Sequence, residues 1–271
     1  MTRTALLAAT ASLLFAGPPA LADGKDDKKL TGLGEVGWDT TGYDLDWTAN
    51  DLDTNMFHGA GSALWTWPSK LNVQGNYGFA SNRGEFDNGN ELVVDTWKIG
   101  GGVFYRDPAE GSIGAEVHYQ SLDIVEYADG LTLMGRGEKF LKQASVGAYI
   151  GYANFDDDSF EADGWQLGAY GKYYVEPNFG LKAGLDYSSY DVDGNDADDL
   201  SLNGEAEYLI PDCTTSIYAG LGYGTIDWDN ADIDYWRFGL GLRVHFGTEG
   251  SLIQRNRVEP LPALGHLPFA L

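Results

Sequence analysis

The chain has 271 residues and only one cysteine, Cys213, so no internal disulfide can form and disulfide-scaffold folds are excluded. That cysteine sits in a short turn, Pro211-Asp212-Cys213, an ordinary place for a small residue. Basic residues are scarce: 17 Lys and Arg stand against 41 Asp and Glu, a net charge of −24. This argues against a basic nucleic-acid surface and against attraction to an anionic membrane face. Beyond the N-terminal segment, no apolar run approaches the roughly 20 residues that a membrane helix needs. Neither a Gly-x-Ser-x-Gly nor a His-Glu-x-x-His motif occurs. What is plentiful is glycine, 37 residues without a collagen period, and aromatic side chains at 13%. With 43% hydrophobic residues, disorder is a poor reading.

The first 22 residues read as a secretory signal. Arg3 supplies the positive start, Ala5 to Ala16 the apolar run, and Ala20-Leu21-Ala22 the small-x-small cleavage site before Asp23. Residues 23–29 form a charged leader. Residues 30–247 carry the ordered pattern. Residues 248–271, with Arg255, Arg257, Pro260, Pro262 and Pro268, are expected to be an irregular tail on the periplasmic side.

The ordered pattern is alternation. From Tyr235 to Phe246 the even positions are Trp236, Phe238, Leu240, Leu242, Val244 and Phe246, while the odd ones are Tyr235, Arg237, Gly239, Gly241, Arg243 and His245. A strand points successive side chains to opposite faces, so one face is wholly apolar. The same arrangement recurs in Trp97–Tyr105, Ile113–Tyr119, Ala144–Tyr152, Trp165–Val175, Phe179–Tyr187, Leu200–Ile210 and Ile217–Tyr223. Leu71–Phe79 is similar, and Asn55–Trp67 is weaker. Soluble sandwich strands typically run 5–6 residues; several here are about twice that. Lipid outside a closed, polar-lined barrel accounts for the pattern. Short turns at Pro68-Ser69-Lys70, Asp107–Glu110, Glu176-Pro177-Asn178 and Pro211–Cys213 belong on the periplasmic side. Longer stretches at Arg83–Asn90, Asp156–Asp163, Asp191–Asp199 and Asp227–Asp232 belong outside. Parity then calls for two more strands, near Leu30–Trp38 and Asp129–Arg136, the latter turning at Gly137-Glu138-Lys139. The expected fold is an all-β, transmembrane, antiparallel up-and-down barrel of 12 strands, with 10 or 8 as alternatives.

On these residues the chain resembles a small Gram-negative outer-membrane β-barrel protein of the porin-like kind. The resemblance implies an outer-membrane location and contact with lipid and lipopolysaccharide. It also implies handling by the barrel-assembly machinery, for which the terminal aromatic Phe246 looks like the recognition element. A monomer is the default expectation. The function implied is passive diffusion of small hydrophilic solutes or ions. A structural or surface-interaction barrel with a plugged lumen is the alternative, and an outer-membrane hydrolase a remote one.

Chemistry, if present, belongs to the inward face. Its candidates are Lys98, Arg106, Glu116, His118, Lys172, Lys182, Asp186, Glu205, Glu207, Arg237, Arg243 and His245. Buried unpaired charge is costly, so these groups either line water or pair across the lumen. Gly180, Gly184, Gly220, Gly222, Gly224, Gly239 and Gly241 read as leaving space there, whereas Tyr149, Tyr170 and Tyr218 fill it. No nucleophile is tied by sequence to a histidine, so no catalytic residue is assigned and the chain is not read as an enzyme. Glu205 and Glu207 share a face, a common arrangement in so acidic a chain. No cofactor is expected. Asp191, Asp193, Asp196, Asp198 and Asp199, or Asp156–Asp158, offer oxygens for weak divalent-cation binding.

Overall fold

The two-residue alternation closes into a single sheet. The computed structural model describes residues 29–45, 52–86, 91–123, 127–157, 160–228 and 231–261. The expected signal at 1–22, the leader up to 28 and the end of the tail at 262–271 lie outside the described residues.

The strands are β1 Lys29–Leu45, β2 Leu52–Thr66, β3 Leu71–Phe86, β4 Glu91–Asp107, β5 Gly111–Asp123, β6 Tyr127–Phe140, β7 Ala144–Asp157, β8 Phe160–Glu176, β9 Phe179–Val192, β10 Asn195–Leu209, β11 Thr215–Trp228 and β12 Ala231–Phe246. Each pairs antiparallel with its sequence neighbours, and β1 closes the ring on β12 from Gly32 opposite Phe246 to Leu45 opposite Ile233. Twelve strands is the number that turn parity required. Closure leaves no sheet edge, so the backbone is satisfied within the wall, as hydrocarbon demands.

The expected turns at 68–70, 107–110, 176–178 and 211–213 lie at one end, here the lower end, with both termini of the sheet. The β6–β7 turn falls at 141–143, not at Gly137-Glu138-Lys139. Those three residues stay in β6 because they pair with Ile113, Ser112 and Gly111 of β5, and Phe140 still faces inward.

The upper end departs further from expectation. The acidic stretches are mostly strand rather than loop. Asp193 and Gly194, with φ of 53° and 80°, make a two-residue hairpin between β9 and β10. Positive φ at both centres marks the type I′ turn, for which Asp-Gly is a favoured pair. Strands of 13 to 17 residues result, whereas a tilted strand crosses hydrocarbon in about 9–11.

The excess length changes which face is polar. Through the middle of the barrel, Ile99, Val117, Leu133, Ile150, Leu185, Leu202 and Leu240 point outward and exposed. Trp97, Tyr119, Trp165, Tyr187, Tyr223 and Trp236 ring this belt above, and Trp65, Tyr105, Tyr173 and Tyr208 ring it below. Such girdles mark the two interfaces of a membrane barrel. Above the upper girdle the outward positions become Asp129, Asp156, Asp191, Asp196, Asp227 and Asp232, all exposed. Girdle tyrosines tie the zones together: Tyr152 donates to Asp163 at 2.8 Å and Tyr187 to Asp198 at 3.0 Å.

The inward face inverts at the same height. Leu45, Leu52, Val94, Leu122, Ala128, Phe155, Ala162, Val192, Ala197, Ile226 and Ile233 are buried there, and half-buried Phe86 packs beside them. Every strand thus contributes to an apolar collar inside the projecting end. In water the outside must be polar and the inside apolar; in lipid the requirement reverses. One unbroken alternation serves both solvents.

Candidate functional site

Below the collar, the inward face becomes polar and encloses a cavity of about 340 Å³. Arg243 organises its floor. Its guanidinium grips Glu205 with two nitrogens at 2.7 and 2.8 Å, donates to Glu35 at 2.5 Å, and lies 4.2 Å from the centre of the Tyr218 ring. β1, β10, β11 and β12 are thereby bridged by one side chain. His58 joins from β2, 2.9 Å from Asp39 and 3.0 Å from the Tyr218 hydroxyl. Across the barrel Glu116 meets Arg136 at 3.1 Å, Asn76 at 3.1 Å and His118 at 3.4 Å. Higher up, Asp186 accepts from Tyr149 at 2.6 Å and from Asn203 at 2.8 Å, and Arg237 donates to Asn203. Lys182 sits over the Tyr170 ring at 5.2 Å, and Lys98 lines the same cavity. Buried ions held this way avoid the cost of unpaired charge.

Glycine does not open this lumen in the way its abundance implies. A Cβ on Gly147 would stand 2.4 Å from the Tyr170 ring, and one on Gly224 would stand 2.5 Å from that of Tyr235. Gly241 lies under Tyr218 in the same manner. The rings lie flat across neighbouring strands and need a bare backbone beneath them. Gly220 fits the spacious reading better: the one atom close to a Cβ there would be the Gly204 carbonyl oxygen at 3.4 Å.

The lower mouth is filled by the chain's own C-terminal segment. This corrects the irregular tail for residues 248–261. Gly247 and Gly250, with φ of 71° and 100°, turn the chain back from Phe246. Helix α1, Leu252–Val258, follows. The Gln254 side chain accepts from the Ser251 N–H at 2.9 Å, one half of a capping box. Arg255 and Arg257 occupy the last turn, where positive charge suits the helix dipole. Leu252 is fully buried against Tyr174 and Leu209.

The segment is pinned from around the mouth. Thr31 of β1 donates to the Val258 carbonyl at 3.1 Å, and Gln74 of β3 exchanges two hydrogen bonds with the Leu261 backbone. Arg106 of β4 donates to the Glu259 carbonyl, and Asn256 donates to the Tyr174 hydroxyl of β8 at 3.0 Å. Glu259 is enclosed between the Thr248 hydroxyl and His245 Nδ1, the latter at 2.6 Å. Behind His245, Nε2 lies 3.0 Å from Ser216 Oγ, and Ser216 donates to Glu207 at 2.7 Å. Glu207 also binds Lys172 at 2.8 Å.

Ser216, His245 and Glu259 have the connectivity of a nucleophile, base and orienting acid. The serine, however, has no exposed surface and gives its proton to Glu207. The acid arrives on the very segment that covers it. As arranged here, these groups hold the segment in place.

All twelve residues singled out by sequence face the interior. The structure gathers Glu205, Glu207, Lys172, Arg243 and His245 into one connected floor. Glu116 and His118 belong to a second cluster; Arg106 meets the tail; Lys98, Lys182, Asp186 and Arg237 line the cavity above. Sequence reasoning missed Glu35, Asp39, His58, Arg136, Ser216 and Glu259. The Glu35-x-Gly37-x-Asp39 alternation was the available signal in β1, and Ser251-x-x-Gln254 was the signal for α1. The acids of 191–199 point in different directions. Asp199 faces inward toward the Tyr235 hydroxyl, Asp196 points out, and Asp191 and Asp193 accept from the backbone N–H groups of Gly194 and Glu161. Among the described residues no group of three or more His, Cys, Asp or Glu is placed to hold a metal.

A search of curated protein sequences gives no match. Among solved structures, an outer-membrane channel of Pseudomonas putida F1 superposes with a TM-score of 0.62 at 15% identity, covering 84% of this chain and 99% of that one. The β domain of the Bordetella autotransporter Brka gives 0.56 at 14% identity, covering 80% and 100%. Residues 136–252 match the family model described as outer membrane protein beta-barrel domain. The closed antiparallel barrel of this molecule, apolar outside across a girdled belt, has the fold of those outer-membrane barrels, and its second half resembles the outer membrane protein beta-barrel domain.

Proposed function

We propose that the protein is a channel for passive diffusion of small hydrophilic solutes or ions, held here in a closed conformation. The observation that carries this reading is the polar cavity of about 340 Å³ inside the barrel, lined by charges of both signs. A barrel serving only as a scaffold gains nothing from a polar chamber of this size at mid-membrane depth. Its pairing leaves no large excess of one sign, so weak selectivity and small solutes suit it better than strong ion selection. The Pseudomonas channel offers a precedent for transport on this fold.

The plugged structural barrel is the second reading. It is favoured by the segment 248–261 across the lower mouth, which is the periplasmic end of such barrels. Planar-bilayer recording of the refolded chain tests the two. Reproducible conductance steps, even if rare, support the channel. A correctly folded barrel that stays silent under every voltage and salt condition rejects it in favour of the scaffold.

A further inference from the structure

Resting on the channel reading, we propose that residues 248–261 form a displaceable plug latched by Glu259, and that its release opens the lower mouth. The wall is complete without this segment. β1 and β12 are already paired at Gly32 and Phe246 before the tail begins, and α1 adds no strand to the sheet. The segment hangs from Gly247, whose positive φ and close approach to the Leu30 carbonyl make a defined pivot.

The seat has the composition of a surface meant to be wetted. The strand side chains that hold the plug are Thr31, Gln74, Arg106, Tyr174 and His245, joined by the turn carbonyls of Cys213, Leu141 and Pro177, which accept from Arg255, Arg257 and the Leu252 N–H. Water can satisfy each of them after the plug leaves. Leu252 is the main apolar anchor, buried against Tyr174 and Leu209. A permanent stopper would bury more carbon against carbon.

Glu259 is the latch because it carries the most specific contact. Ser216 spends its proton on Glu207, so His245 Nε2 must donate to Ser216 Oγ. The remaining proton lies between His245 Nδ1 and Glu259, a bond of 2.6 Å in a fully enclosed site. Thr248 completes the carboxylate's partners. Loss of the carboxylate removes both bonds at once and leaves the barrel wall untouched.

The test uses the refolded full chain with Cys213→Ser, so that introduced thiols are unique. Leu252→Cys reports plug position through maleimide labelling, with and without Glu259→Ala. Slow labelling that becomes about tenfold or more faster in Glu259→Ala is expected, since hydrogen bonds to charged groups are among the stronger ones. Equal rates in both, or labelling only on denaturation, overturn the latch. Conductance is recorded in parallel. Glu259→Ala should raise open probability about tenfold over its parent, and a Gln74→Cys, Leu261→Cys crosslink should silence the channel until it is reduced. If the barrel conducts but neither change alters conductance, the plug proposal fails and the channel reading stands. If labelling accelerates and all variants remain silent, the channel reading fails, and with it the claim that release opens the mouth. The crosslink keeps Leu252, so it decides the matter even if Leu252→Cys does not fold.

Discussion

Arg243 holds more of the lumen together than any other single side chain. It pairs with Glu35 and Glu205, reaches Glu207 at 3.3 Å, and is 8% exposed. Arg243→Ala would strand carboxylates in a site built for ion pairs, a change worth about 3–5 kcal/mol when one partner of a buried pair is lost. Denaturant unfolding in detergent should show that loss; a change below about 1 kcal/mol would mean that water already solvates the cluster. Cys213 makes a second prediction at this scale. Hydrogen bonds from Thr215 hold its thiol below the ordinary cysteine range. The thiolate is the reactive form, so the pH profile of its reaction with a disulfide reagent should lie to the acid side of a free cysteine's. A Thr215→Val variant should move it back. A profile matching free cysteine in the parent chain would contradict the assignment.

At the scale of the strand, position along the axis decides what a side chain tolerates. Leu240 is exposed in the middle of the belt, opposite Trp38 and Ala219. Asp234, three alternations higher on the same face of β12, stands above the Trp236 girdle. Arginine at Leu240 should cost about 2–4 kcal/mol, the range for midplane arginine in membrane barrels. Arginine at Asp234 should change stability by less than about 0.5 kcal/mol, as exposed surface substitutions usually do. Comparable losses at both sites would show that the belt extends higher than the girdle. The collar reverses the rule on the inner face: Ala153, fully buried there, should tolerate aspartate poorly, because nothing apolar around it can pair the charge.

At the scale of the molecule, charge is segregated by height. Acidic side chains crowd the outer face of the projecting strands, while the lumen pairs its charges internally. If the channel conducts, these acids should gather cations near the upper mouth. A modest cation preference is expected at low salt, fading as screening shortens their reach to about 10 Å at 0.1 M. Neutralising Asp191, Asp193, Asp196, Asp198 and Asp199 together should reduce it, as measured by reversal potential. An anion preference would show that Arg237, Lys98 and Lys182 set the field instead.

Much of this was legible along the chain. Alternation from Trp236 to Phe246 named the lipid face of β12, turn parity called for twelve strands, and the inward charges followed from the same period. Those are local properties, because a strand's two faces are set by backbone geometry alone. Height was not legible. Asp227 and Asp232 read as loop because acidic residues were expected to leave the sheet, whereas they pair across β11 and β12 and face outward while the adjacent pair Ile226 and Ile233 is buried inside. Nor could the sequence show which glycines are empty and which lie beneath a tyrosine, since ring and backbone come from different strands. The plug was hidden for the same reason. Glu259 meets His245, Arg106 meets Glu259 and Gln74 meets Leu261 only once the barrel has closed. The sequence by itself determined the wall, because pairing between neighbours in the chain builds it; tertiary structure alone decided the lumen, because its contacts join residues far apart in the chain across a space that exists only after closure.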